Sequence, residues 1–144
     1  MSAKEQTERV VRPSVIAGSW YPGMERALRQ TLEGFFANVP EERLEGELLG
    51  LIAPHAGYAY SGQTAAYGYK QLRGATYDTV VIMSPNHRAF WPEDFVVSTA
   101  THYETPLGLV ELDKPFIDRL ADRVELHGVR RDGEHSLEIQ LPFL

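Results

Sequence analysis

The stretch LLGLIAPHAGYAYSGQTAAYGYKQLRGATYDTVVIMSPNH, residues 48–87, decides the fold. It contains two short apolar runs, 48–53 and 79–83, and each is broken by a proline. Runs of this length favour buried strands over helices, and the second run is rich in β-branched residues. Between them, the chain from Ser61 to about Arg73 has helical apolar spacing, and Ser61 is expected to cap that helix. Strand, helix and strand in this order predict a parallel βαβ unit.

A histidine follows the proline of each apolar run, His55 directly after Pro54 and His87 two residues after Pro85. The two histidines are 32 residues apart, which is close to the length of one βαβ unit. Because consecutive parallel strands end at the same edge of a sheet, we expect the two imidazoles to emerge side by side there. Two neutral imidazoles on rigid strand ends can share one divalent metal ion. The alternative, that both histidines only bond local backbone groups in turns, stays open.

The remainder of the chain predicts a layered α/β fold, with mostly parallel core strands and helices on both faces. The strand predicted at 95–99 and the strand predicted at 107–112 lie close together along the chain, which favours an antiparallel pair. The chain stops inside the apolar segment LPFL, so we expect a fold that is incomplete at its C-terminus. Further helices are predicted over 24–38, after the cap residue Asp113, and over 136–141.

Length and composition indicate a single globular domain. The 144 residues can bury one core, and 43% hydrophobic with 24% charged residues is ordinary globular composition. The polar residues 1–12 are expected to form a flexible tail, and residues 13–144 the N-terminal part of one α/β domain. Neither a membrane span nor the apolar core of a secretory signal is visible, so we expect a cytoplasmic location.

Charge and missing motifs exclude several function classes. A net charge of −6 argues against nucleic-acid binding, because phosphate contacts require clustered Lys and Arg. The chain has no cysteine, so any metal bound by these residues must use His, Asp or Glu. Glycine-rich phosphate loops, the GxSxG elbow and the HExxH helix are all missing from the sequence.

A third candidate group is GEHSLEIQLP, residues 133–142, which carries Glu134, His135 and Ser136 at the start of a short apolar helix. His135 can bind a substrate or act as an acid or base near neutral pH, and Glu134 can contact the same substrate. The alternative is a capping cluster that anchors the helix, with Ser136 as the cap.

Two aromatic residues, Trp20 and Tyr58, complete the set of candidates. Trp20 can line a substrate site or bury the N-terminal turn, and packing is the favoured interpretation. Tyr58, like Tyr60, is predicted to supply a hydroxyl or to pack around a ligand.

Five segments, taken together and in order, resemble the Memo family, whose prokaryotic members are called AmmeMemoRadiSam system protein B. The resemblance runs from about residue 10 to the end of the chain and covers about the first half of the family's length. It implies a fold similar to that of the class III extradiol ring-cleaving dioxygenases, which hold non-haem iron. The segments are AGSWYP (17–22), APHAGYAYSG (53–62), SPNHR (84–88), YETPLG (103–108) and EHSLEIQLPF (134–143).

The resemblance also implies a set of site residues and partners. His55 and His87 would be two metal ligands, with iron favoured over copper, and the third ligand would lie outside this chain. His135 would stand near the same cleft as a catalytic residue. The implied function is a metal-dependent oxidoreductase or redox role with an unknown substrate. The alternative is a non-catalytic module that binds a peptide or protein in the same cleft. A third candidate function, metal-assisted hydrolysis, is the least favoured of the three. Family association suggests AMMECR-type and radical-SAM proteins as partners.

Overall fold

The computed structural model describes residues 8–87 and 95–144. A π-helical turn, Tyr58–Gly62, leads into the second α-helix, and a 3-10 helix covers Glu138–Phe143. Within the described ranges no helix is long and apolar enough to cross a membrane. The strands are β1 (Val11–Arg12), β2 (Val96–Ser98), β3 (His102–Thr105), β4 (Gly108–Glu111) and β5 (His127–Val129), and the α-helices are α1 (Glu25–Ala37), α2 (Gln63–Lys70) and α3 (Lys114–Ala121).

The strands form two small sheets that are partly parallel. The first sheet has the strand order β1-β3-β4. In it, β1 and β3 are parallel, and β3 and β4 are antiparallel. In the second sheet β2 pairs with β5 in parallel. The mixed α/β class is therefore confirmed, and it is consistent with a layered α/β fold. The predicted antiparallel pairing of 95–99 with 107–112 is wrong, because β3 takes β4 as its hairpin partner and β2 pairs with β5.

The two apolar runs that were expected to be buried parallel strands are not strands in the structure. Neither 48–53 nor 79–83 belongs to a sheet of the described residues. Leu49 is 90% exposed and Ile52 is 100% exposed. A run of strand-forming residues becomes a strand only when a neighbouring strand pairs with it and its faces are covered. Here neither condition holds, so the predicted parallel βαβ unit is wrong although a helix, α2, does lie between the two runs.

Helix α1 supplies one wall of the core. Its residues Leu28, Leu32 and Phe36 recur every four positions and are buried, as the helical spacing predicted. The ammonium group of Lys70 in α2 donates to the carbonyl oxygens of Phe36 at 3.3 Å and Val39 at 2.6 Å, so it satisfies carbonyls at the end of α1. The core partners of α1 are Ile16, Tyr21, Tyr58, Ala65, Ala66, Tyr69 and Ile139.

The helix ends agree with the sequence at some positions and differ at others. Asp113 does cap α3, because its Oδ1 accepts a hydrogen bond from the Phe116 amide at 2.9 Å. Ser61 does not cap α2: its hydroxyl donates to the Ala56 carbonyl at 3.1 Å, and the helical segment begins earlier, at the π-helical turn. The short helix predicted over 136–141 is present as a 3-10 helix that begins at Glu138.

The sequence predicts a flexible tail over residues 1–12, of which residues 1–7 lie outside the described residues. Arg12, which the sequence assigned to the end of the tail, lies in β1 and is 3% exposed. The difference arises because β1 pairs with β3, a strand about 90 residues away that local composition does not indicate.

Replacing Gly62 with alanine is expected to lower the free energy of unfolding by about 1 to 3 kcal/mol. A Cβ at this position would lie 2.7 Å from Cζ of the Phe35 ring, so the ring or the π-helical turn must move. Urea denaturation followed by circular dichroism measures the loss. Gly34→Ala is the control, because a Cβ at residue 34 meets nothing within 4 Å. Equal stability of the Gly62 variant and the wild type would contradict this packing.

Candidate functional site

Three histidine rings meet at one cleft. The ring centroids of His55 and His87 are 5.1 Å apart, those of His87 and His135 are 4.8 Å apart, and those of His55 and His135 are 6.3 Å apart. The sequence predicted that His55 and His87 lie side by side at the edge of a sheet. The structure brings them together, and His135 with them, but through turns and not through paired strands.

The arrangement of these side chains fits a divalent metal ion. A histidine nitrogen binds such an ion at about 2 Å, so rings that share one ion have centroids roughly 4.5 to 6.5 Å apart. All three separations lie in this range. Judged by possible ligand atoms, the group that lies within 4.8 Å of one another is His87, Glu134 and His135, and the predicted ligand His55 is not part of it. Nitrogen and carboxylate donors suit iron, copper and zinc.

Glu134 is tied to both neighbouring histidines. Its Oε1 accepts hydrogen bonds from Nδ1 of His87 at 3.1 Å and from the backbone amides of His135 at 2.8 Å and Ser136 at 2.9 Å. Its Oε2 accepts from the backbone amide of His87. Partial burial raises the pKa of Glu134, but the bonds from Ser136 and His87 outweigh it and hold that pKa well below its usual range. The side chain is therefore a carboxylate at neutral pH.

The segment that carries Glu134 also holds the two histidine turns. The Ser136 hydroxyl donates to the Pro85 carbonyl at 2.7 Å, two residues before His87. The Gln140 amide donates to the Pro54 carbonyl at 3.1 Å, next to His55. Ser136 was predicted as a possible helix cap, and Gln140 had no predicted role. Both bonds join residues more than 50 positions apart, so local sequence contains no signal for them.

A buried ion network anchors this segment to β1. The guanidinium of Arg12 pairs with Asp132 at 2.5 Å and with Glu138 at 2.7 Å. Burial lowers the pKa of Arg12, but the two carboxylates outweigh it and raise that pKa above its usual value. Glu138 is 0% exposed and also accepts hydrogen bonds from the hydroxyls of Ser14 and Tyr21 and from the backbone amides of Val15 and Ile16. Sequence reasoning missed Arg12 and Glu138 as partners, because 126 residues separate them.

An open cavity of about 550 Å³ lies beside His55 and His135. Trp20 lies in its lining and packs against His135, with ring centroids 4.2 Å apart. Tyr60 lies at its mouth and is 89% exposed. The other lining residues are mainly small or apolar: Ser19, Pro54, Ala56, Gly57 and Ala59.

Tyr58, predicted to contact a substrate, lies in the core instead. Its side chain is buried, and its hydroxyl donates to the Ile139 carbonyl at 3.2 Å. Its ring packs against Phe35 and Phe143. The π-helical turn explains the difference, because it directs Tyr58 inward and Tyr60 outward. Of the two tyrosines, Tyr60 is therefore the one that a ligand in this cavity can contact.

Comparison with known proteins gives a consistent result. A family model described as Memo-like protein matches residues 12–144. A MEMO1 family protein of Nitrosopumilus maritimus is 33% identical over 142 residues, which are 94% of this chain and 51% of the relative. Relatives of the same description from Methanosarcina barkeri and Methanopyrus kandleri are each 39% identical, over 93% and 92% of this chain and 49% and 50% of their own length. The chain spans about half the length of the curated relatives it matches.

Proposed function

Because the chain belongs to the Memo family, we propose that its histidine cleft binds a divalent metal ion and serves an oxidoreductase or redox role. The observation that carries the proposal is the meeting of three imidazole rings with centroid separations of 4.8 to 6.3 Å. The proposed substrate is a small molecule or peptide that fits the adjoining cavity.

In the proposed site, His55 and His87 bind the ion, with iron favoured over copper as in proteins with the extradiol dioxygenase fold. A bound iron ion would polarise a substrate and exchange electrons with it. His135 stands beside both rings and against Trp20, so it can hold or transfer a proton on a substrate in the cavity. The third ligand is expected from the part of the family's length beyond this chain. We also propose that the protein is located in the cytoplasm, as the sequence predicted.

Replacing either His55 or His87 with alanine is expected to remove the bound metal. The full-length protein, in which the proposed third ligand is present, is purified without oxygen, loaded with ferrous iron and measured by elemental analysis after desalting. The wild type should retain the metal, and each variant should retain little, because two nitrogen ligands are needed to fix the ion. His127→Ala is the matched control, since His127 lies in β5 and outside the cluster. Unchanged metal content in either test variant would overturn the proposal.

A second candidate function is binding of a peptide or protein without turnover. The apolar lining of the cavity and the exposure of Tyr60 favour it, since exposed aromatic residues beside an apolar cavity are typical of binding sites. AMMECR-type and radical-SAM proteins, proposed from family association, are the partners to test. In this case Trp20→Ala and Tyr60→Ala weaken the complex, whereas His55→Ala leaves it unchanged.

Metal-assisted hydrolysis is the least supported candidate. It requires a carboxylate that can take a proton from water at the metal. Glu134 is the nearest such group, but its Oε1 already accepts three hydrogen bonds and its Oε2 accepts another. A carboxylate engaged in this way is a poor general base.

A further inference from the structure

We propose that Glu134 is the positioning carboxylate of this cleft: it holds His87 as the Nδ1–H tautomer and leaves Nε2 as the ring nitrogen that can bind a metal. The sequence predicted Glu134 as a substrate contact, so the proposal gives it a different role. The proposal adds to the proposed metal-binding function. Only its last step, the effect on the metal-binding nitrogen of His87, rests on that function.

The first step is the pair of bonds between Glu134 and His87. The ring Nδ1 lies 3.1 Å from Oε1, and the backbone amide of the same residue donates to Oε2. A neutral imidazole has one protonated nitrogen, and a carboxylate can only accept. The ring proton therefore lies on Nδ1, and the lone pair lies on Nε2. Because one carboxylate bonds both the ring and the backbone of His87, it also restricts rotation of the ring.

The second step is that Glu134 is itself held in place. Its carbonyl oxygen accepts from Nη2 of Arg12 at 2.6 Å, and its backbone amide donates to Asp132 at 3.0 Å. Its side chain is mostly buried, with 16% exposed. The Ser136 hydroxyl, two residues on, also fixes the turn before His87 through the Pro85 carbonyl. The carboxylate is thus set in position before any ligand arrives.

The third step is the effect on the metal-binding nitrogen. A carboxylate that accepts from one ring nitrogen of a histidine raises the basicity of the other and fixes its direction. The Oε1 atom of Glu134, which bonds the His87 ring, already accepts three donors and has no lone pair left for an ion. Glu134 therefore acts through His87 and does not need to touch the ion or the substrate.

The first experiment measures the tautomer of His87 in the metal-free protein. Long-range proton–nitrogen correlation NMR distinguishes a protonated ring nitrogen from an unprotonated one, and the signals that vanish in His87→Ala identify the residue. We expect the proton on Nδ1 in the wild type and a mixture of tautomers in Glu134→Gln. A proton mainly on Nε2 in the wild type would overturn the proposal, and this measurement requires no folded Glu134 variant.

The second experiment measures affinity for Zn²⁺, a probe without redox chemistry, by titration calorimetry. Glu134→Gln is expected to weaken binding about 10- to 100-fold, the usual effect of losing a carboxylate partner of a ligand histidine. Glu33→Gln, an exposed position on α1, should bind as the wild type does. Equal affinity in Glu134→Gln and the wild type would overturn the proposal. If the wild type binds no metal while His87 still shows the Nδ1–H tautomer, the proposed function fails and the positioning role of Glu134 stands.

Discussion

Replacing Arg12 with methionine is expected to lower the free energy of unfolding by about 3 to 5 kcal/mol, as breaking one side of a buried ion pair does. The guanidinium is the cation that faces Glu138, which is completely buried. Its removal leaves a buried carboxylate without its counter-charge. Methionine keeps most of the length and apolar volume, so the loss reports the charge and not a cavity. Urea denaturation followed by tryptophan fluorescence measures it.

The control for this prediction is Arg29→Met on α1. Arg29 pairs with Glu25 on the exposed face of the helix, and such a pair contributes only about 0.3 to 0.5 kcal/mol. A second variant tests the reason for the effect. Replacing Arg12 and Glu138 together should not restore stability, because the hydroxyl groups of Ser14 and Tyr21 would lose their acceptor. A loss for Arg12→Met no larger than that for Arg29→Met would contradict the description of this network.

Replacing Leu28 with alanine is expected to lower the free energy of unfolding by about 2 to 5 kcal/mol. Leu28 lies in α1, is fully buried and belongs to the core cluster with Tyr58 and Ile139. Several members of this cluster are aromatic, and rigid rings collapse poorly into the space that a leucine leaves, which favours the upper part of this range. Thermal or urea unfolding monitored by circular dichroism measures the change.

Leu49→Ala is the matched control, since it removes the same atoms from a side chain that is almost fully exposed. Its expected effect is within about 0.5 kcal/mol. This control also tests the fold, because the sequence predicted Leu49 in a buried strand. A loss comparable to that of Leu28→Ala would show that the apolar run 48–53 is buried after all.

Stability and the site depend on the same residue. Arg12 bonds Asp132, the Glu134 carbonyl and Glu138, and so connects β1 to the whole segment that approaches the histidines. Ser136 and Gln140 then extend from that segment to the turns before His87 and beside His55. Changes at Arg12 should therefore disturb the cleft as well as the core.

The sequence by itself determined those features that depend on neighbours along the chain. Helix α1 follows from apolar residues at helical spacing, and α3 follows from the cap at Asp113, because helix bonds and caps join residues three or four positions apart. Five ordered segments determined the family resemblance, and the proline-histidine repeats at His55 and His87 correctly singled out two residues that meet.

Only the tertiary structure decided which segments became strands and what holds the cleft together. The pairing of β1 with β3 and the bonds of Arg12 with Glu138 join residues roughly 90 to 126 positions apart. An apolar run shows that burial would be favourable, but whether a strand forms depends on partners elsewhere in the chain. The runs 48–53 and 79–83 have no such partner among the described residues, and the cleft is instead assembled by side-chain bonds from Glu134, Ser136 and Gln140. Local periodicity contains no information about such distant contacts, and this is why they could not be predicted.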